Sequence, residues 1–166
     1  MGQPCNANFV ATAVAFTITL TSLASSVVGV GRQSTMLVNI ASSEGAQHAR
    51  VYYSVTTGVA TPTTPITPYS TITFYLLQGD AAAPNIVTDA AGASDAGFTV
   101  VNAPLVHSIQ VSPQINGVSG TNYQGSFIIK NPGPYWGIAV VNSTGVALSG
   151  TNGSIKYNYE SIATLF

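Results

Sequence analysis

The chain has 166 residues, enough for one domain that buries most of its apolar surface in a single core. Only 5% of it is charged and the net charge is -1, with Arg32, Arg50, Lys130 and Lys156 as the cations, so there is no basic stripe to neutralise phosphates and no nucleic-acid partner is expected. The hydrophobic fraction of 46% rules against disorder, and 36 Ser and Thr residues supply the polarity that charges normally supply.

Strand-forming Thr, Val, Ile, Tyr and Phe dominate, helix-forming Lys, Glu, Arg and Leu are scarce, and 16 Gly and 9 Pro punctuate the chain. The expected fold class is therefore all-β: an antiparallel β-sandwich, jelly-roll-like, with little or no helix. So neutral a surface is poorly protected against self-association, which points to coverage in an assembly.

Residues 1–8 read as a flexible N-terminal arm and 9–166 as a single β-sandwich domain. Cys5 lies in that arm, matches no lipidation pattern and has no disulfide partner within the chain. From Phe9 to Gly31 there are 23 residues without a charge. This is not read as a membrane span, because Val10, Val14, Phe16, Ile18 and Leu20 share one parity and Thr17, Thr19 and Thr21 the other, the period of a half-buried strand. Ala24 to Gly31 follows as a loop or bulged strand. The pair Gly29 and Gly31 does not open a dinucleotide site, since Ser34 stands in place of the third glycine and strand-like residues follow.

Ser34 to Ala41 and Ala49 to Val55 are the next expected strands, with a turn at Glu44 and Gly45. Thr56 to Tyr69 carries Pro62, Pro65 and Pro68 at three-residue spacing with threonines between them, a pattern that can neither be helix nor pair as a central strand. It reads as an extended segment, either an arm reaching across a subunit contact or a crossover between two sheets. Ser70 to Gln78 alternates with apolar groups on both faces, so burial on both sides is expected. Gly79 to Gly97 is a long loop with Asp80, Asp89 and Asp95, whose spacing fits no calcium loop. No metal or cofactor is expected.

Phe98 to Val101 and Leu105 to Ser112 are strands, with His107 on the apolar parity as a histidine of the core or its rim. Tyr123 to Lys130, Tyr135 to Asn142, Gly145 to Ser149 and Ser154 to Glu160 follow at the cadence of a sandwich. Within them SFIIKNPGPYWGIAVVN, Ser126 to Asn142, reads as the middle of a sheet interrupted by a rigid open corner, because Pro134 has no N–H to close a turn on Pro132 and Gly133. Its strands belong to one sheet or to two. Tyr135 and Trp136 fall on opposite faces of one strand, so one is expected in the core and the other exposed for a partner. The glycosylation sequons at Asn142 and Asn152 are read as turn chemistry.

No nucleophile elbow, zinc-protease helix, paired cysteines or phosphate loop is present, and an enzyme is not expected. The neutral hydroxyl-rich strands, the N-terminal arm, the Pro/Thr-rich connection and SFIIKNPGPYWGIAVVN together resemble tailed-bacteriophage capsid decoration (cement) proteins of jelly-roll or sandwich type. The resemblance implies a non-enzymatic virion structural protein that forms a homo-oligomer, with a trimer as the implied state, and binds the major capsid protein or another virion component to stabilise the shell. It transfers no functional residue. Met1 without a signal-like segment fits synthesis in the host cytoplasm and assembly into a virion, with no membrane partner. The candidate interaction surface is Tyr135, Trp136, Pro62, Pro65 and Pro68. The rival reading is an extracellular or cell-surface carbohydrate-binding or adhesin-type sandwich using an exposed Trp136 or Tyr135, and a fibre or pilus domain is a further one.

Overall fold

The structure is a computed structural model that describes residues 7–9, 12–39, 48–79, 88–90, 92–117, 120–150 and 153–162. Its strands are β1 (Ala7–Phe9), β2 (Val14–Ala15), β3 (Val30–Gln33), β4 (Leu37–Val38), β5 (His48–Thr56), β6 (Thr71–Gly79), β7 (Ala96–Thr99), β8 (Leu105–Gln110), β9 (Asn122–Lys130), β10 (Tyr135–Ser143) and β11 (Ile155–Ile162). There is no helix among the described residues. Two antiparallel sheets pack face to face as an antiparallel β-sandwich. The first runs β1-β11-β5-β9 with β2 also on β11, and the second runs β7-β3-β10-β6-β8 with β4 also on β10. The chain changes sheet between β2 and β3, β4 and β5, β5 and β6, β8 and β9, β9 and β10, and β10 and β11.

Period-two patterning accounts for the long strands. In β5, Ala49, Val51 and Val55 face inward, and they meet Phe127 and Ile129 of β9 and Ile155 of β11 in one core. From the second sheet Ile72, Phe74, Leu76, Trp136, Ile138 and Val140 complete that core. The other face of the second sheet is covered as well. Tyr135, Leu77, Ala139 and Val141 pack with Met36, Phe98 and Ala103, held under the segment 92–104. Burial of β6 on both faces, expected from its sequence, follows from this second layer.

Several expected strands are shorter than their patterning. Of Phe9 to Gly31, the ladder holds Phe9 in β1, Val14–Ala15 and the start of β3; Phe16 and Leu20 are buried but their backbone takes scattered partners, such as Ile155 O for the Phe16 N–H at 2.9 Å. Of Ser34 to Ala41, the described residues 34–39 form a strand only at Leu37–Val38, the Ser34 hydroxyl accepting the Ile138 N–H at 3.1 Å and interrupting the ladder, and 40–41 lie outside the described residues. Gly145 to Ser149 is a loop with one bridge, Leu148 to Thr57. Ala7–Phe9, partly in the expected arm, pairs with β11. Cys5, Glu44 and Asp80 lie outside the described residues. The stretch Ser126 to Asn142 is not the middle of one sheet. Its corner carries the chain from the edge of the first sheet to the centre of the second. Gly133 takes φ +88° and Asn131 φ +49°, values that glycine and asparagine accept most cheaply.

Candidate interaction surface

Four segments meet at the end of the sandwich opposite that corner: 21–29, 57–70, 111–117 and 143–150. Their meeting is fixed by main-chain hydrogen bonds. The Ser26 N–H donates to Asn142 O at 2.7 Å, Gly58 N–H to Ala147 O at 2.8 Å, Ile66 N–H to Gln114 O at 2.8 Å and Gly117 N–H to Ala60 O at 3.0 Å. Beneath them Asn142 is a buried clamp. Its Nδ2 donates to Leu23 O at 2.9 Å and Val146 O at 2.8 Å, while its Oδ1 accepts the Thr144 hydroxyl at 2.7 Å. A side chain so enclosed is closed to glycosylation, in keeping with its reading as turn chemistry.

Ile66 and Ala60 anchor the Pro/Thr-rich segment by pointing into the core, and the prolines between them are turned to the rim. This segment connects β5 of one sheet to β6 of the other, the crossover of the two expected alternatives. Pro62, Pro65 and Pro68 join Ile66, Pro113 and Ile115 around an apolar cleft of about 420 Å³. A second hollow of about 470 Å³ lies on the other side of the segment, lined by Gly58, Val59 and Thr64 and by 145–150.

The four segments of this summit carry no charge, and their exposed surface mixes apolar side chains with the hydroxyls of Thr61, Thr63, Thr64 and Thr67. None of the residues in the four segments is Asp, Glu, Lys, Arg or His. Val27 is 96% exposed, Tyr69 86% and Ile115 65%. Tyr69 also has φ +70°, a left-handed conformation that costs a bulky side chain on the order of 1 kcal/mol. The positive φ is that of the third residue of a turn, Thr67-Pro68-Tyr69-Ser70, closed by the Ser70 N–H to Thr67 O at 3.3 Å and by the paired Thr67 and Ser70 hydroxyls, and it leaves the ring in solvent.

Tyr135 and Trp136 are not part of this surface. Trp136 is 0% exposed and Tyr135 5%. Trp136 lies in the intersheet core, edge-on to Phe16 at 5.3 Å between ring centroids and to Tyr157 at 5.5 Å, and its Nε1–H donates to Tyr159 Oη at 2.9 Å. Tyr135 lies on the opposite face beneath Phe98 and Ala103. The expectation that one of the two rings is exposed fails because β10 is central and the small residues of 92–104 cover its outer side. Tyr69, Val27 and Ile115 were not singled out in the sequence. Tyr69 had a signal, an aromatic ending a proline-rich run; Val27 and Ile115 gain meaning only when their loops converge.

The ionisable groups elsewhere serve the fold. His107 sits between the edges of β8 and β9, stacked on Phe127 at 4.8 Å with Nε2 3.2 Å from Tyr53 Oη. Burial lowers its pKa and raises that of Tyr53. Burial alone would raise the Asp89 pKa, but the N–H groups of Val101, Asn102 and Ala103, at 2.6, 2.6 and 2.8 Å, outweigh it and hold the carboxyl below the usual range. Asp95 is likewise opposed by burial and held low by Arg32 at 2.5 Å and by the Thr19 hydroxyl. Both acids have specific partners, where solvated acids were expected. Among the described residues no three His, Cys, Asp or Glu side chains gather into a metal-binding group. Comparison with protein-family models, with curated proteins and with solved structures found no match.

Proposed function

We propose that this chain is a non-enzymatic virion structural protein that self-associates and docks on a capsid surface through its charge-free end, reinforcing the shell. The observation that carries the docking is Tyr69, an exposed ring held at positive φ on loops that are hydrogen-bonded from below. An uncharged summit on a firm base keeps its shape on binding, so less ordering entropy opposes docking. Pro62, Pro65 and Pro68 contribute to the same end, as rigid apolar walls of a cleft. Without charges to strip of water, such a surface suits a permanent contact with a neutral or apolar protein face. The carbohydrate-binding alternative rested on Trp136 or Tyr135, and both rings are buried.

The test is co-sedimentation with shells purified from the source particle and stripped of this chain. Wild type is expected to pellet with the shells, and Tyr69→Asn combined with Ile115→Ser to lose binding by at least about tenfold, as expected for an aromatic anchor and a second exposed apolar side chain of the same end. Failure of the wild type to bind any such shell, or full binding by the double variant, sinks the reading.

A further inference from the structure

The edges of the two sheets are not alike. In the first sheet β1 has three residues, and in the second β7 has four, while β8 follows Pro104 and faces a register shift between Phe74 and Tyr75. Short, bulged or proline-flanked edges resist further pairing. β9 does not. It has nine residues in unbroken register with β5, contains no proline, and its only charge is Lys130 at the end. Among the described residues no strand pairs with its outer side.

The phase of its hydrogen bonds can be read from its flanks. The Thr57 N–H donates to Thr121 O, directly opposite by the same register, so odd-numbered residues of β9 bond to β5. Consistently, Ser54 N–H turns the other way, to Ser154 O beside β11. The main-chain groups of Asn122, Gln124, Ser126, Ile128 and Lys130 therefore point away from the sheet, and all five residues are exposed.

We infer that β9 pairs antiparallel with β9 of a second copy, about a two-fold axis through Ser126, joining the first sheets of two sandwiches into one. That register pairs every outward residue: Ser126 with Ser126, Gln124 with Ile128, and Asn122 with Lys130, for up to about ten main-chain hydrogen bonds. It sets the two lysines at opposite ends, each beside an asparagine, whereas a parallel in-register pairing would stack Lys130 on Lys130. A strand whose outward groups match their own reversal is suited to a second copy of itself, the requirement of a two-fold interface. Exposed Ile128 is covered in the process.

This inference rests on the self-association in the proposed function and names its surface; docking through the opposite-to-corner end is independent of it. The experiment is sedimentation velocity of the full chain at micromolar concentration together with oxidative cross-linking. The expected mass is about 34 kDa, twice the 17.0 kDa of one chain. Ser126→Lys, which sets two ammonium groups against each other on the axis, should give the 17.0 kDa species with an unchanged circular dichroism spectrum. In a Cys5→Ser background, which removes the chain's own thiol, Ser126→Cys should form a disulfide dimer, because directly opposed residues lie about 5.5 Å apart, within disulfide range. Asn122→Cys should not, its two copies lying on the order of 27 Å apart. A wild-type monomer or trimer, a dimer indifferent to Ser126→Lys, or equal cross-linking of both cysteine variants overturns the inference. A Ser126→Lys monomer that still sediments with shells would leave docking standing and confine its independence to the other end.

Discussion

At one end of the sandwich the chain turns through Asn131-Pro132-Gly133-Pro134, and side-chain amides close over it: Gln78 Nε2 donates to Asn131 O and Pro132 O at 3.3 and 3.1 Å, and Asn39 Nδ2 to Gly133 O at 3.0 Å. At the other end the amide of Asn142 is used from below, so the loops above it are fixed yet keep their apolar side chains outward. His48, Lys130 and Glu160 lie toward the first end, and the four segments that form the second hold no charged residue. Both ends are ordered by amide-to-carbonyl bonds. Among the described residues, the second leaves the ring of Tyr69, Val27 and Ile115 in solvent.

The largest expected effect tests the frame the two ends share. Trp136→Ala empties a site packed by Phe16, Tyr157 and Tyr159 and should cost about 3–5 kcal/mol in denaturant unfolding, without distinguishing the ends. Asn142→Ala should distinguish them. It removes the amide bonds to Leu23 O and Val146 O, which keep the Leu148 N–H and the Thr144 hydroxyl as donors, and takes the acceptor from the buried Thr144 N–H, at about 1–3 kcal/mol for that group, so hydrogen exchange should rise in 23–26 and 143–150 while 131–134 stays as in wild type. Gly133→Ala is the converse, about 1–2 kcal/mol from a side chain forced to φ +88°, with the charge-free end unmoved.

The strands were legible where period two coincides with pairing partners on both sides, as in β5 and β6. They were not where side chains take over main-chain bonds: Ser34 shortens one expected strand, and Asn142 with Thr144 turns Gly145 to Ser149 into a loop. The three prolines announced an exposed extended segment. Which aromatic is exposed could not be read locally, because the cover over Tyr135 comes from Phe98 and Ala103, remote in sequence, and the other exposed apolar groups of the Tyr69 end, Val27 and Ile115, come from two further loops.

A smaller effect belongs to the flank between the ends. The folded-state pKa of His107 is depressed by burial, so its contribution is present above the ordinary value of about 6.5 and lost as pH falls through the folded value. Stability should decline from pH 7 toward pH 5 in wild type, and the decline should flatten in His107→Phe. A slope unchanged by that substitution would place the titration elsewhere.

The most direct measurement compares thermal unfolding and shell binding of Tyr69→Asn. Asparagine accepts a positive φ more readily than tyrosine and the ring makes no core contact, so stability should stay within about 0.5 kcal/mol of wild type or rise, while binding to shells is lost. Full binding by Tyr69→Asn, or a loss of stability of several degrees, would contradict the assignment of the charge-free end as the surface this protein uses.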